Sequence, residues 1–139
     1  MSDTLKPQNE HIVQRLQSSL ITWFISVRPD GRPHSIPVWF LWDGSHILVF
    51  SQPENQKIKN IRHNPHVVLS LDNTDDGGDV VTIEGTAELI SLQELNLDAV
   101  LQAYGAKYGG ELKDMNTDLN SLVAAYSQPI RVTPTKFRG

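Results

Sequence analysis

With 139 residues the chain has the length of one ordinary domain, 1–139, large enough to bury a core. Lys plus Arg number 12 against 16 for Asp plus Glu, a formal charge of -4, and no run of like charges is long enough for a nucleic-acid arm, so no nucleic-acid partner is expected. The absence of cysteine removes disulfides, thiolate catalysis and cysteine-based metal sites.

The stretch Met1 to Glu10 lacks the basic start and apolar run of a secretory leader. No segment nears the ~18 apolar residues of a membrane span, and a cytoplasmic protein without a membrane partner is expected. From Glu10 to Leu20 the residues Ile12, Val13, Leu16 and Leu20 recur at helical spacing and predict a short amphipathic helix. Ile21 to Arg28, rich in β-branched and aromatic residues, predicts a strand closed by the turn Pro29-Asp30-Gly31-Arg32. Pro33 to Trp42 predicts a second strand, Asp43-Gly44 a hairpin turn, and His46 to Ser51 the returning strand.

Pro53 to His63 carries Ile58 and Ile61 on one side and is stopped by Asn64-Pro65, the pattern of a helix. His66 to Asp72 reads as a further strand, and Asn73 to Asp79 as a polar loop. Asp79 to Ile90 is another strand, in which Gly85 signals a bulge or a close backbone approach. Leu92, Leu95, Val100 and Leu101 then keep a helical period up to the glycines at 105, 109 and 110, where that helix is expected to stop. Thr117 to Tyr126 predicts one more helix, and Ile130 and Val132 alternate with Arg131 and Thr133 as a last strand would. The sum is a mainly β, α+β protein: a small barrel of about six strands with peripheral helices.

Between Val49 and Pro65, Ser51-Gln52-Pro53 leads an apolar strand into a helix start, with Lys57, Lys59 and Arg62 just beyond. Free first-turn amides, a hydroxyl and nearby cations form one recipe for holding a phosphate. The same three cations equally describe the solvated face of a surface helix whose other face carries Ile58 and Ile61. In Ile36 to Trp42, Pro37 cannot donate to a ladder, so it marks a sheet edge, a bulge or a place where backbone groups stay free for the rim of a planar ring. Trp39 and Trp42 read alternatively as core or interface side chains.

The histidines at 11, 34, 46, 63 and 66 form no H-x-x-x-H pair, and no metal is expected. His34, beside the turn, is either a site-lining residue or a partly exposed strand histidine. The acidic positions Asp72, Asp75, Asp76 and Asp79 lack the spacing and closing glutamate of a calcium loop and read as a solvated loop. No G-x-S-x-G, Walker P-loop or G-x-G-x-x-G is present.

The ordered segments G-R-P-H-S-I-P-V-W-F, D-G-S-H-I-L-V-F-S, K-I-K-N-I-R-H-N-P-H-V-V-L-S, V-T-I-E-G-T-A-E-L-I and I-R-V-T-P-T-K-F-R-G resemble the pyridoxamine 5'-phosphate oxidase-like, FMN-binding split β-barrel family. Within it, the chain looks like the branch that contains deazaflavin-dependent reductases. The resemblance runs from Thr22 to Gly139.

It implies an antiparallel split barrel and a homodimer with cofactor sites at the interface. The implied cofactor is FMN or its deazaflavin relative, coenzyme F-420. By motif position, Lys57 is the first candidate for the cofactor phosphate, followed by Ser51 and Gln52 and then Arg62. Ile36, Pro37, Val38 and Trp39 match the segment lying along the ring, and Lys136, Phe137 and Arg138 match a tail that reaches the partner's site. The implied activity is hydride transfer between cofactor and a small organic substrate, with no catalytic side chain fixed by the motifs. The alternative class is a non-catalytic flavin- or haem-binding module for storage or sensing. Vitamin B6 oxidation is disfavoured, because the oxidases proper are longer and carry additional basic residues for the substrate phosphate.

Overall fold

The computed structural model describes residues 10–71 and 77–139. The leader reading of the first residues and the loop positions Asp72, Asp75 and Asp76 lie outside that description. Asp79, the remaining carboxylate of that loop, is engaged elsewhere. Its carboxylate meets His11 Nε2 at 2.7 Å and Arg15 Nη1 at 2.9 Å, and so ties helix α1 (Glu10–Ser18) to the body.

The chain then runs through β1 (Thr22–Val27), β2 (Pro33–Val38), β3 (Leu41–Trp42), β4 (Ile47–Ser51), α2 (Gln56–His63), β5 (His66–Leu71), β6 (Thr82–Leu89), α3 (Leu97–Asp114), α4 (Leu119–Ala125) and β7 (Gln128–Arg138). The strands form one curled antiparallel sheet of seven in the order β2-β1-β5-β6-β7-β4-β3, a split barrel with helices around it. No described helix is long and apolar enough to cross a membrane.

Alternation decides which side chains enter the core. Val67, Leu69 and Leu71 of β5 are buried, as are Ile83 and Ala87 of β6 and Ile130 and Val132 of β7. Phe24, Ile47, Val49 and Ile58 complete the same cluster. A second, smaller cluster of Tyr104, Tyr108 and Leu112 packs on Trp39, Leu41 and Phe50, and joins α3 to the sheet.

Three expectations change. The strand Pro33 to Trp42 breaks at Trp39-Phe40, because α3 supplies the backbone partners that a neighbouring strand would have given. Tyr108 Oη accepts from the Phe40 N–H at 3.0 Å, and Lys107 Nζ donates to the Phe40 carbonyl at 2.9 Å. The helix expected to stop at the glycines runs through all three, 18 residues from Leu97 to Asp114. Burial of Tyr104, Tyr108 and Leu112, spaced i, i+4, i+8, outweighs the glycines' cost of about 1 kcal/mol each. The last strand extends to Arg138, so Lys136, Phe137 and Arg138 pair with Glu84, Ile83 and Thr82 of β6.

Gly85 fulfils both halves of its expectation. The β6/β7 register shifts between Glu84 and Gly85, and a Cβ added there would lie 2.7 Å from the Thr133 carbonyl oxygen and 2.9 Å from Val132 Cγ1. A backbone oxygen inside a ladder cannot step aside cheaply. Gly85→Ala is therefore expected to cost about 1–3 kcal/mol, read as a melting temperature several degrees lower. A variant melting with the wild type would contradict the close approach.

Candidate functional site

The site forms where the sheet edge, the start of α2 and the α3–α4 segment converge. A pocket of about 420 Å³ has Ile36, Pro37, Val38 and Trp39 along one wall, Gln52, Asn55 and Lys57 at one end, and Phe50 and Tyr104 behind them. Met115, Leu122 and Tyr126 complete the helical wall. Pro37 lies on β2, an outer strand of the sheet, as a residue with no N–H to donate must. Trp39 stacks on Tyr108 with ring centroids 4.3 Å apart and planes 6° from parallel. Tyr104 stands edge-on to Phe50 at 5.3 Å, so this wall is apolar and stiff.

Helix α2 explains why Lys57 points inward. Its buried residues are Lys57, Ile58, Asn60 and Ile61, and its exposed ones include Lys59, Arg62 and His63. Asn60 Nδ2 donates to Ser26 Oγ at 2.9 Å and Gln56 Nε2 to Asn60 Oδ1 at 2.8 Å, which fixes the helix rotation against β1. Lys57 is thus carried to the pocket with its stem packed and only 4% of its surface exposed. Among the described residues its ammonium has no hydrogen bond or ion pair. Burial holds the amine below the usual lysine range. A partly desolvated cation without a counter-charge is a costly arrangement that an anion would relieve.

Six of the eleven expected positions, Ile36, Pro37, Val38, Trp39, Gln52 and Lys57, therefore line one pocket. Ser51 adjoins it in the chain, but is fully buried, and its hydroxyl donates to the Gln52 carbonyl at 2.9 Å. Arg62 lies on the exposed face of α2, outside the pocket lining. Phe137 is buried and meets Trp42 edge-on at 6.0 Å, so both belong to the core. Arg138 reaches Glu84 at 3.4 Å on the sheet surface.

The helical wall was absent from the sequence reading. Its signal was the Tyr104, Tyr108, Leu112 spacing, which continues past Gly105. His34 also gains weight: its Nδ1 is the one buried side-chain polar atom without a hydrogen bond among the described residues. Burial, then Arg28 and Lys57, hold that imidazole below its ordinary range. A larger hollow of about 780 Å³ opens between α3 and α4, but its charged lining, Lys113 and Asp118, is exposed, and it contains no buried unpaired group.

The pocket's chemistry is that of an apolar, flat-walled slot with a cation at one end, which suits a planar ring bearing an anionic tail. Lys57's unpaired ammonium fits a cofactor phosphate there.

Comparison with known proteins agrees with the fold. The family model described as pyridoxamine 5'-phosphate oxidase matches residues 8–138. Among solved structures, an F-420 reductase shares 26% identity, with 96% of this chain and 98% of that one covered and a TM-score of 0.66. A putative pyridoxamine 5'-phosphate oxidase from Listeria innocua shares 23%, covering 91% and 93%, with a TM-score of 0.68. The haem storage protein HutZ from Vibrio cholerae shares 16%, covering 91% and 90%, with a TM-score of 0.69. Comparison with curated protein sequences gave no match.

Proposed function

The chain belongs to the pyridoxamine 5'-phosphate oxidase family, and on that premise we propose that the Lys57 pocket holds FMN or the deazaflavin F-420 in an oxidoreductase acting on a small organic substrate. The observation that carries this reading is Lys57, a buried side chain whose ammonium has no hydrogen bond or ion pair among the described residues, in the lining of a slot walled by Ile36 to Trp39. When bound, the flavin or deazaflavin supplies the hydride chemistry.

The chain's own residues do the rest. Lys57 complements the phosphate charge, and the backbone of the outer strand β2 orients the ring's polar rim. Trp39, Phe50 and Tyr104 keep water from the ring's face. The likeness to an F-420 reductase supports the deazaflavin arm of the proposal. A haem-storage reading gains less: the likeness to the haem storage protein is at 16% identity and bears on the fold alone.

Equilibrium titration of cofactor-stripped protein with FMN and with F-420, followed by quenching of tryptophan fluorescence, tests the proposal because Trp39 lines the slot. Saturable binding of one of them at about micromolar Kd or tighter is expected. Reduced cofactor reoxidised by quinones or enones faster than by air would then mark an enzyme. Failure of both cofactors to bind overturns the reading.

A further inference from the structure

Resting on the reading that Lys57 meets a phosphate, we propose that His34 is a second ligand of that phosphate, and that proton uptake by its imidazole is coupled to binding. The site would then take a phosphorylated ligand more tightly as pH falls.

The placement follows from β2. Its exposure alternates, with Pro33, Ser35 and Pro37 outward and His34, Ile36 and Val38 half-buried on the inner face. Ile36 and Val38 line the slot, as does Pro37 of the opposite row, and His34 is the next side chain in the Ile36 and Val38 row, about 7 Å farther along and just outside the lining. Across the β1/β2 pair it faces Ser26, the residue whose hydroxyl is held by Asn60 of α2. Asn60 lies on the buried face of α2 that also carries Lys57. His34 and Lys57 therefore come within electrostatic reach of one another from two elements, Lys57 in the slot lining and His34 beside it.

The imidazole is incomplete in the ligand-free protein. Nδ1 is closed off from solvent and has no partner, although the ring itself is half-buried and reaches the surface. A half-turn of the ring exchanges Nδ1 with Cδ2 without changing its volume. The charged groups that act on it are both positive: Arg28, anchored to the Pro33 carbonyl at 2.7 Å, and Lys57 from α2. Its polar neighbours across the pair, Ser26 and Asn60, are neutral. Burial, with the two cations Arg28 and Lys57, favours the neutral ring, and a phosphate dianion set among them opposes that field. Protonated His34 then donates to a phosphate oxygen beside Lys57, a charge-assisted bond.

The test measures Kd at about pH 6.5 and 8.5, a window in which the phosphate monoester stays largely dianionic. Wild-type protein should bind FMN about tenfold more tightly at the lower pH. Riboflavin, which has no phosphate, should show no such gain, and His34→Gln should lose it. In parallel, the His34 imidazole C–H resonance of the wild type, followed by NMR, should titrate at higher pH with FMN than without; this readout does not depend on the variant folding. Equal FMN affinity at both pH values, a gain retained by His34→Gln, or an unmoved resonance would overturn the His34 role while leaving the cofactor reading in place. Failure of FMN and F-420 to bind at either pH would overturn both.

Discussion

Lys57→Ala weakens binding of FMN or F-420 about 100-fold, and the ligand-free variant melts no lower than the wild type. The two halves of this expectation share one cause. A lysine with 4% exposure, its amine partly desolvated and without a counter-charge among the described residues, is a liability to the ligand-free fold, and the same liability is what an incoming phosphate relieves. The pH dependence has a definite sign. Burial places the folded-state value below the ordinary one, so the unfolded chain binds the proton more readily between the two. Lysine's contribution to ligand-free stability therefore rises with pH across that interval, and the slope is lost in Lys57→Ala. Unchanged affinity of the variant for both cofactors would remove Lys57 from the site.

Truncating Tyr108 has the largest expected effect on stability, about 3–5 kcal/mol for Tyr108→Ala. The side chain is fully buried, and its hydroxyl lies 2.7 Å from the Leu20 carbonyl oxygen, 3.0 Å from the Phe40 nitrogen and 3.1 Å from the Phe40 oxygen. The hydroxyl accepts from the Phe40 N–H and gives its one proton to a carbonyl, in the gap where the strand breaks. Burial raises its ionisation well above the ordinary tyrosine range, so it acts as a hydrogen-bonding group across physiological pH. Tyr108→Phe keeps the stack on Trp39 and should lose about 1–3 kcal/mol. Urea denaturation separates the two variants. An alanine variant within about 1 kcal/mol of wild type would show that this contact does not hold the helices to the sheet.

Much of the sheet side of the pocket was legible. Pro37, lacking a donor, left a sheet edge, a bulge or free backbone groups open, of which the edge is what formed; Asp43-Gly44 announced a hairpin, and Gly85 announced the bulge where no Cβ fits. Lys57 was legible as a cation near a helix start, but its burial was not, since local pattern cannot say which face of α2 meets the sheet. Arg62 shows how far periodicity alone could have gone: five residues on from Lys57 it is rotated about 140° around the helix, onto the opposite side. The helical wall escaped because glycine propensity pointed to an ending, whereas burial of Tyr104 and Tyr108 decided otherwise. That Phe137 and Arg138 belong to the last strand was not legible, because the partner they pair with lies some fifty residues away in sequence, on β6.

The outer strand has one more consequence. Neither Pro33 nor Pro37 has an N–H, so the alternate set Pro33, Ser35, Pro37, turned away from β1, offers a single backbone donor, that of Ser35. An incoming strand needs donors and acceptors in alternation, and it would find an almost donor-free border. At the opposite border, β3 offers only Leu41 and Trp42. Both margins of the sheet are thus poor templates for fibril-like growth, one through proline and the other through brevity.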